Sequence, residues 1–143
     1  MPSNTKISEI MTSGVFSVEI DDTIHRADEI MRNEHVRHVP VIDGGKFIGL
    51  ITERTLMEYT LRRLYDFDDE FGEIGYNKIG DFSEIMTKNL HVIYPEDSVR
   101  KAVELMAKYK LDCLPVVDWK NNLIGILTSV DVMLFINKKL SEL

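Results

Sequence analysis

Ser8-Glu9-Ile10-Met11-Thr12 returns further along the chain as Ser83-Glu84-Ile85-Met86-Thr87. The correspondence continues beyond these residues. At the same offset Asp22 falls on Asp97, Ala27 on Ala102, Glu29 on Glu104, Met31 on Met106, and Pro40-Val41 on Pro115-Val116. One extra residue in the second copy's polar turn then shifts the register by one. After it, Ile48-Gly49 falls on Ile124-Gly125, Thr52 on Thr128 and Met57 on Met133. A short identical run can arise by chance, but its continuation in register through both halves of the chain cannot. The sequence is an internal duplication, and self-similarity at a fixed period constrains the architecture before any single element does.

Each copy reads the same way. A short helical turn ends at Met11 or Met86, and a strand follows around Val15–Val18 or His91–Tyr94. Asp22-Thr23 and Asp97-Ser98 are helix-start signals. Apolar residues then recur at helical spacing, as Ile24, Ala27, Ile30 and Met31, and as Val99, Ala102, Val103 and Met106. A buried strand is predicted over His38–Ile42 and Cys113–Val117. A turn follows, tight at Asp43-Gly44-Gly45 and longer from Asp118 to Asn122. A second apolar strand, Phe47–Thr52 or Leu123–Thr128, leads into a closing helix. The class is α/β, two β-α-β-β-α repeats over residues 1–60 and 82–143 with a connecting segment over 61–81. A repeat of this size buries little core alone, so the copies must share strands or pack sheet against sheet. The connecting segment interleaves Asp66, Asp68, Asp69, Glu70, Glu73 and Asp81 with Tyr65, Phe67, Phe71 and Tyr76. Its start extends the first closing helix through Leu64, and its aromatics suit docking on the domain.

Composition narrows the function. The 143 residues carry a net charge of −7, which argues against a chain-wide footprint for nucleic acid or for an anionic membrane. No run approaches the ~20 apolar residues of a membrane span, and Met1–Ile10 lacks the apolar core of a secretory signal. The single cysteine, Cys113, excludes an internal disulfide framework and suits a reducing cytoplasm. Asp66, Asp68 and Glu70 imitate the start of a calcium loop, but Phe71 occupies the position that needs glycine. His35 and His38 have no third metal ligand nearby in sequence. No nucleophile–base set, P-loop or dinucleotide fingerprint is present, so no catalytic residue, metal or obligatory cofactor is assigned.

The Ile-Met-Thr openings, the strands Val39-Pro40-Val41-Ile42-Asp43 and Leu114-Pro115-Val116-Val117-Asp118, and Gly125-Ile126-Leu127-Thr128-Ser129-Val130-Asp131 resemble cystathionine β-synthase (CBS) domains. The resemblance spans roughly 6–60 and 81–137. It implies a stand-alone pair of repeats related by pseudo-two-fold symmetry, with clefts between them. Such clefts commonly take AMP, ADP, ATP or S-adenosylmethionine as regulatory ligands. It also implies a sensor rather than an enzyme and a homodimer joined through helical faces. With no attached catalytic, transporter or DNA-binding domain, any effector protein is expected to be engaged in trans.

The sharpest candidate site is Thr128-Ser129-x-Asp131, at a strand-to-helix turn. A carboxylate can accept hydrogen bonds from both ribose hydroxyls, while hydroxyls and free N–H groups at a helix start suit a phosphate. The same spacing is a capping box that needs no ligand, and both roles are compatible. Lys110 and, in the first copy, His35 stand where relatives place a basic residue toward phosphate. A solvated residue at a helix end is the alternative. The resemblance also assigns Lys88, Asn89, Leu90 and His91 to backbone contact with adenine, and Cys113, Leu114 and Pro115 to the flanks of the base. The first copy departs from the pattern: Thr52 is retained, but Thr55 stands where the ribose carboxylate belongs. An asymmetric module is therefore expected, with the better nucleotide site in the second copy. A ligand-free dimerisation or protein-interaction scaffold is the competing reading.

Overall fold

A computed structural model describes residues 4–65, 82–87 and 90–143. The acidic and aromatic stretch over 66–81, with its calcium-loop resemblance, lies outside the described residues, as do Lys88 and Asn89. The chain divides into two compact units, and each draws on both sequence repeats. One combines Met1–Val15 with His91–Leu143, and the other runs from Phe16 to Leu90.

In the Phe16–Leu90 unit, β1 (Val18–Glu19), β2 (His38–Asp43) and β3 (Lys46–Thr52) form a sheet in that order. The first pair is parallel and the second antiparallel. Between β1 and β2 lies α1 (Ile24–Glu34), which starts where Thr23 Oγ1 accepts the Arg26 N–H at 3.2 Å. Ile24, Ala27, Ile30 and Met31 are all buried, as their spacing predicted, because residues three and four apart share one helix face. The closing helix α2 (Glu53–Tyr65) reaches one residue past Leu64. The second repeat supplies a short helix, α3 (Phe82–Ile85). Phe82 and Ile85 join Val18, Val39, Val41, Ile51, Leu56 and Tyr59 in this unit's core. Thr87 exchanges two backbone hydrogen bonds with Leu50.

The other unit repeats the plan. After α4 (Val99–Tyr109) come β4 (Cys113–Val117) and β5 (Leu123–Thr128), an antiparallel pair, and then α5 (Ser129–Ser141). Ser98 Oγ caps α4 by accepting the Lys101 N–H at 3.1 Å. The strand expected over His91–Tyr94 is reduced to one parallel bridge, Ile93 to Val116. Val103, read as a core position, is exposed instead. It lies one residue around the helix from Ala102, and the stripe on Val99 and Ala102 already fills the inward face. Both hairpins carry a register shift at the equivalent place, Val41/Ile42 and Val116/Val117, just before the turn.

The first repeat supplies this unit's missing edge. Ile7, in a 3-10 turn over Ile7–Glu9, is fully buried with Ile93, Val99, Ala102, Leu114, Val116, Leu127 and Val132. Its N–H donates to the Asp97 carbonyl at 2.9 Å, and the Val99 N–H donates to the Thr5 carbonyl at 2.9 Å. Thr12 and Ile126 exchange two further bonds at 2.9 Å. Each unit thus completes its core with the Ile-Met-Thr segment of the opposite repeat.

Candidate functional site

The second repeat's site forms where β5 passes into α5. Thr128 ends the strand with extended backbone and caps the helix. Its hydroxyl accepts the Asp131 N–H at 3.2 Å, and the Asp131 carboxylate accepts the Thr128 N–H at 3.0 Å. The capping-box geometry is therefore present. Asp131 is only half-buried, so its carboxylate remains reachable. Ser129 ties this turn to the start of β4, its N–H donating to the Asp112 carbonyl at 2.8 Å. These bonds correct one expectation. The N–H groups of Ser129 and Asp131 are already engaged, so they are not free donors for a phosphate.

Thr12 was not singled out in the sequence. Its hydroxyl donates to both carboxylate oxygens of Asp131, at 3.2 and 3.3 Å. Thr12 recurs as Thr87 in the duplication, which marks the position, but a partner so distant in sequence is invisible until the chain folds.

Lys110 is exposed and closes α4 in left-handed conformation, with φ of 56°. His35 closes α1 in the same way, with φ of 54°. This conformation favours glycine, and both helices use a basic residue there instead. The His91 ring stacks on Tyr109, beside Lys110, with centroids 4.0 Å apart. Cys113, Leu114 and Pro115 are buried in β4. Leu114 belongs to the core, and the Pro115 carbonyl accepts the Ile93 N–H at 3.0 Å. One compact unit thus holds Thr128, Ser129, Asp131, Lys110, His91 and Cys113 to Pro115. Leu90 belongs to the other unit.

Thr52 and His35 also lie in the Phe16–Leu90 unit. There the position equivalent to Asp131 is closed on itself. The Thr55 hydroxyl accepts the Thr52 N–H at 3.0 Å and donates to the Thr52 carbonyl at 3.0 Å. The Thr52 hydroxyl in turn accepts the Thr55 N–H at 3.1 Å. The helix is capped, but no carboxylate is offered. His35 lines a groove of about 570 Å³ with Met31, Arg32, Arg37, Leu56 and Met57, which reaches the capped turn at Glu53 but is lined by neither Thr52 nor Thr55. Among the described residues no group of His, Cys, Asp and Glu could hold a metal ion, and no helix is long and apolar enough to cross a membrane.

A family model for the CBS domain matches residues 7–62 and again 82–138. The chain belongs to the CBS domain family. This CBS pair is 30% identical over 128 residues to the CBS domain-containing protein YhcV of Bacillus subtilis, covering 90% of this chain and 83% of that protein. It is 34% identical over 118 residues to inosine-5'-monophosphate dehydrogenase of Korarchaeum cryptofilum, covering 82% of this chain and 21% of the enzyme. Homoserine O-acetyltransferase of Methanosarcina acetivorans is 27% identical over 137 residues, covering 95% of this chain and 23% of the enzyme. The CBS pair thus spans less than a quarter of either enzyme. Among solved structures it superposes on the CBS domain pair of protein MJ0100 in complex with 5'-methylthioadenosine and S-adenosylmethionine. There the TM-score is 0.78 at 24% identity, covering 94% of this chain and 98% of that one. CBSX2 of Arabidopsis thaliana, solved in complex with AMP, gives a TM-score of 0.76 at 24% identity, covering 93% of this chain and 96% of that one. At these identities the likeness is one of fold.

Proposed function

We propose that this CBS pair is a regulatory, non-catalytic module that binds an adenosyl ligand through the second repeat, with the Asp131 carboxylate receiving the ribose hydroxyls. The observation that carries the reading is a half-buried carboxylate held at a strand-to-helix turn, where it accepts the Thr128 N–H while the Thr128 hydroxyl accepts the Asp131 N–H. The adenosyl compounds in the solved MJ0100 and CBSX2 pairs support the ligand class. With the first-turn amides partly consumed, phosphate recognition falls to Lys110 and the Ser129 hydroxyl, and adenine contact to the backbone near His91 and Pro115. The self-capped Thr52–Thr55 turn offers no carboxylate at the equivalent place in the first repeat. The signal passes to an effector protein in trans, and the lone buried thiol suits a reducing cytoplasm.

A thermal-shift panel with AMP, ADP, ATP and S-adenosylmethionine tests the reading. A ligand at 100 times its Kd adds about 2.7 kcal/mol of stability. In Asp131→Ala the affinity for whichever compound binds should fall at least about tenfold, or ~1.4 kcal/mol. Loss of the cap alone would cost about 1 kcal/mol of fold stability with no selective loss of binding. Flat responses to all four compounds overturn the proposal in favour of a ligand-free scaffold. That second reading draws on the exposed apolar residues of α5, which include Met133, Leu134 and Leu140.

A further inference from the structure

We infer that Thr12 is a positioning residue for Asp131, so that the second-repeat site is completed by a side chain from the first repeat's N-terminal segment. The inference rests on the adenosyl reading above and assigns Thr12 a part in it.

A carboxylate that is to accept two ribose hydroxyls must present its oxygens in a fixed plane, and rotation about Cβ–Cγ of an aspartate is soft. The capping bond from the Thr128 N–H, at 3.0 Å, reaches only Oδ2. The second restraint comes from Thr12, whose hydroxyl is shared between Oδ1 at 3.2 Å and Oδ2 at 3.3 Å. Two donors from different elements define the carboxylate plane, which one donor cannot do.

Thr12 is itself held from three directions. Its backbone exchanges two hydrogen bonds at 2.9 Å with Ile126, in the strand that leads into Thr128. The preceding Met11 packs on Gly125, where an added Cβ would lie 2.7 Å from the Met11 sulfur and 3.0 Å from the Thr12 carbonyl oxygen. Ile7 anchors the same segment in the core with no exposed surface. The side chains of both Thr12 and Asp131 remain reachable from solvent, so the bond between them contributes little by burial. An orienting role accounts for a shared hydrogen bond at this place.

Isothermal titration with AMP, and in parallel with S-adenosylmethionine, tests Thr12 in the full chain. Thr12→Val keeps the branched shape and removes the donor, and it should weaken binding about tenfold. Thr12→Ser restores the hydroxyl and should return the affinity to near that of the wild type. Equal affinity of Thr12→Val and the wild type, or tighter binding by Thr12→Val, overturns the positioning role and leaves the adenosyl reading standing. Absence of binding by the wild type overturns the adenosyl reading, and with it the role of Thr12 in binding.

A urea-unfolding cycle needs no ligand. The midpoint shift produced by Thr12→Val should largely vanish in an Asp131→Ala background. Additive shifts would show that the two side chains are uncoupled and overturn the inference. Should Thr12→Val fail to fold, Thr12→Ala provides the same comparison.

Discussion

Cys113 opens β4 with its thiol buried, and burial, followed by the charge of neighbouring Asp112, pushes its pKa up from 9.0 to about 12. The direction sets the pH dependence. Between these values the unfolded chain has released the proton while the folded chain keeps it, so the unfolded state binds fewer protons and stability falls as pH rises. This contribution is fully present below pH 9 and is lost as pH climbs toward 12. Urea midpoints followed through that alkaline window should decline in the wild type more than in Cys113→Ala. Near neutral pH the native thiol should resist alkylation by iodoacetamide and react on unfolding, since the thiolate is the nucleophile. Thr55 makes a second prediction. Its hydroxyl caps α2 together with Thr52, so Thr55→Val should cost about 1 kcal/mol in chemical denaturation. Nucleotide affinity should not change, because that turn offers no carboxylate.

At the scale of elements, most boundaries were legible before folding. Thr23 and Ser98 cap α1 and α4 as their place ahead of the apolar stripes implied. The β4 and β5 limits coincide with the predicted runs, because a short apolar stretch closed by turn residues leaves few alternatives. The first strand of each repeat was overestimated. Only Val18–Glu19 pairs in one copy, and a single bridge at Ile93 remains in the other. Pairing depends on a neighbour that local composition does not reveal. The Ile-Met-Thr segments show the same dependence: each reads as a helical turn opening its own repeat, yet its apolar side chains fill the other repeat's unit. Ile7→Ala should accordingly cost about 2–5 kcal/mol. Native-state hydrogen exchange should place the lost protection in Val99–Tyr109 and Cys113–Val117, the partners of Ile7, more than in Ile24–Glu34.

For the whole molecule, the apolar surface left on α5 calls for an occupant. Val130, Met133, Leu134, Ile136 and Leu140 are 45 to 65% exposed, and contiguous apolar surface of this kind marks an interface. A second copy is the proposed partner, since a two-fold dimer is the commonest way to close such a face. Phe135 packs against the core rather than sharing that surface, so a charge there would damage the fold before it tested association. Met133, 65% exposed, is the informative position. Sedimentation velocity at micromolar protein should show dimers for the wild type and a shift toward monomers for Met133→Glu, with the helical circular dichroism retained. A monomeric wild type would defeat the dimer.

What the amino-acid sequence determined by itself was the duplication, the order of elements, the caps, and the asymmetry between Asp131 and Thr55. These are properties of residue type and spacing, and they are carried by neighbours a few positions apart. Tertiary structure alone decided which repeat each Ile-Met-Thr segment completes, that the Ser129 amide is already bonded to the Asp112 carbonyl, and that Thr12 holds the Asp131 carboxylate. Those outcomes depend on pairs of groups from different elements, from Ser129 and Asp112 to Thr12 and Asp131, which lie at opposite ends of the chain. Their contact follows from satisfying buried backbone and apolar surface over a whole unit, a condition that no local window of sequence expresses.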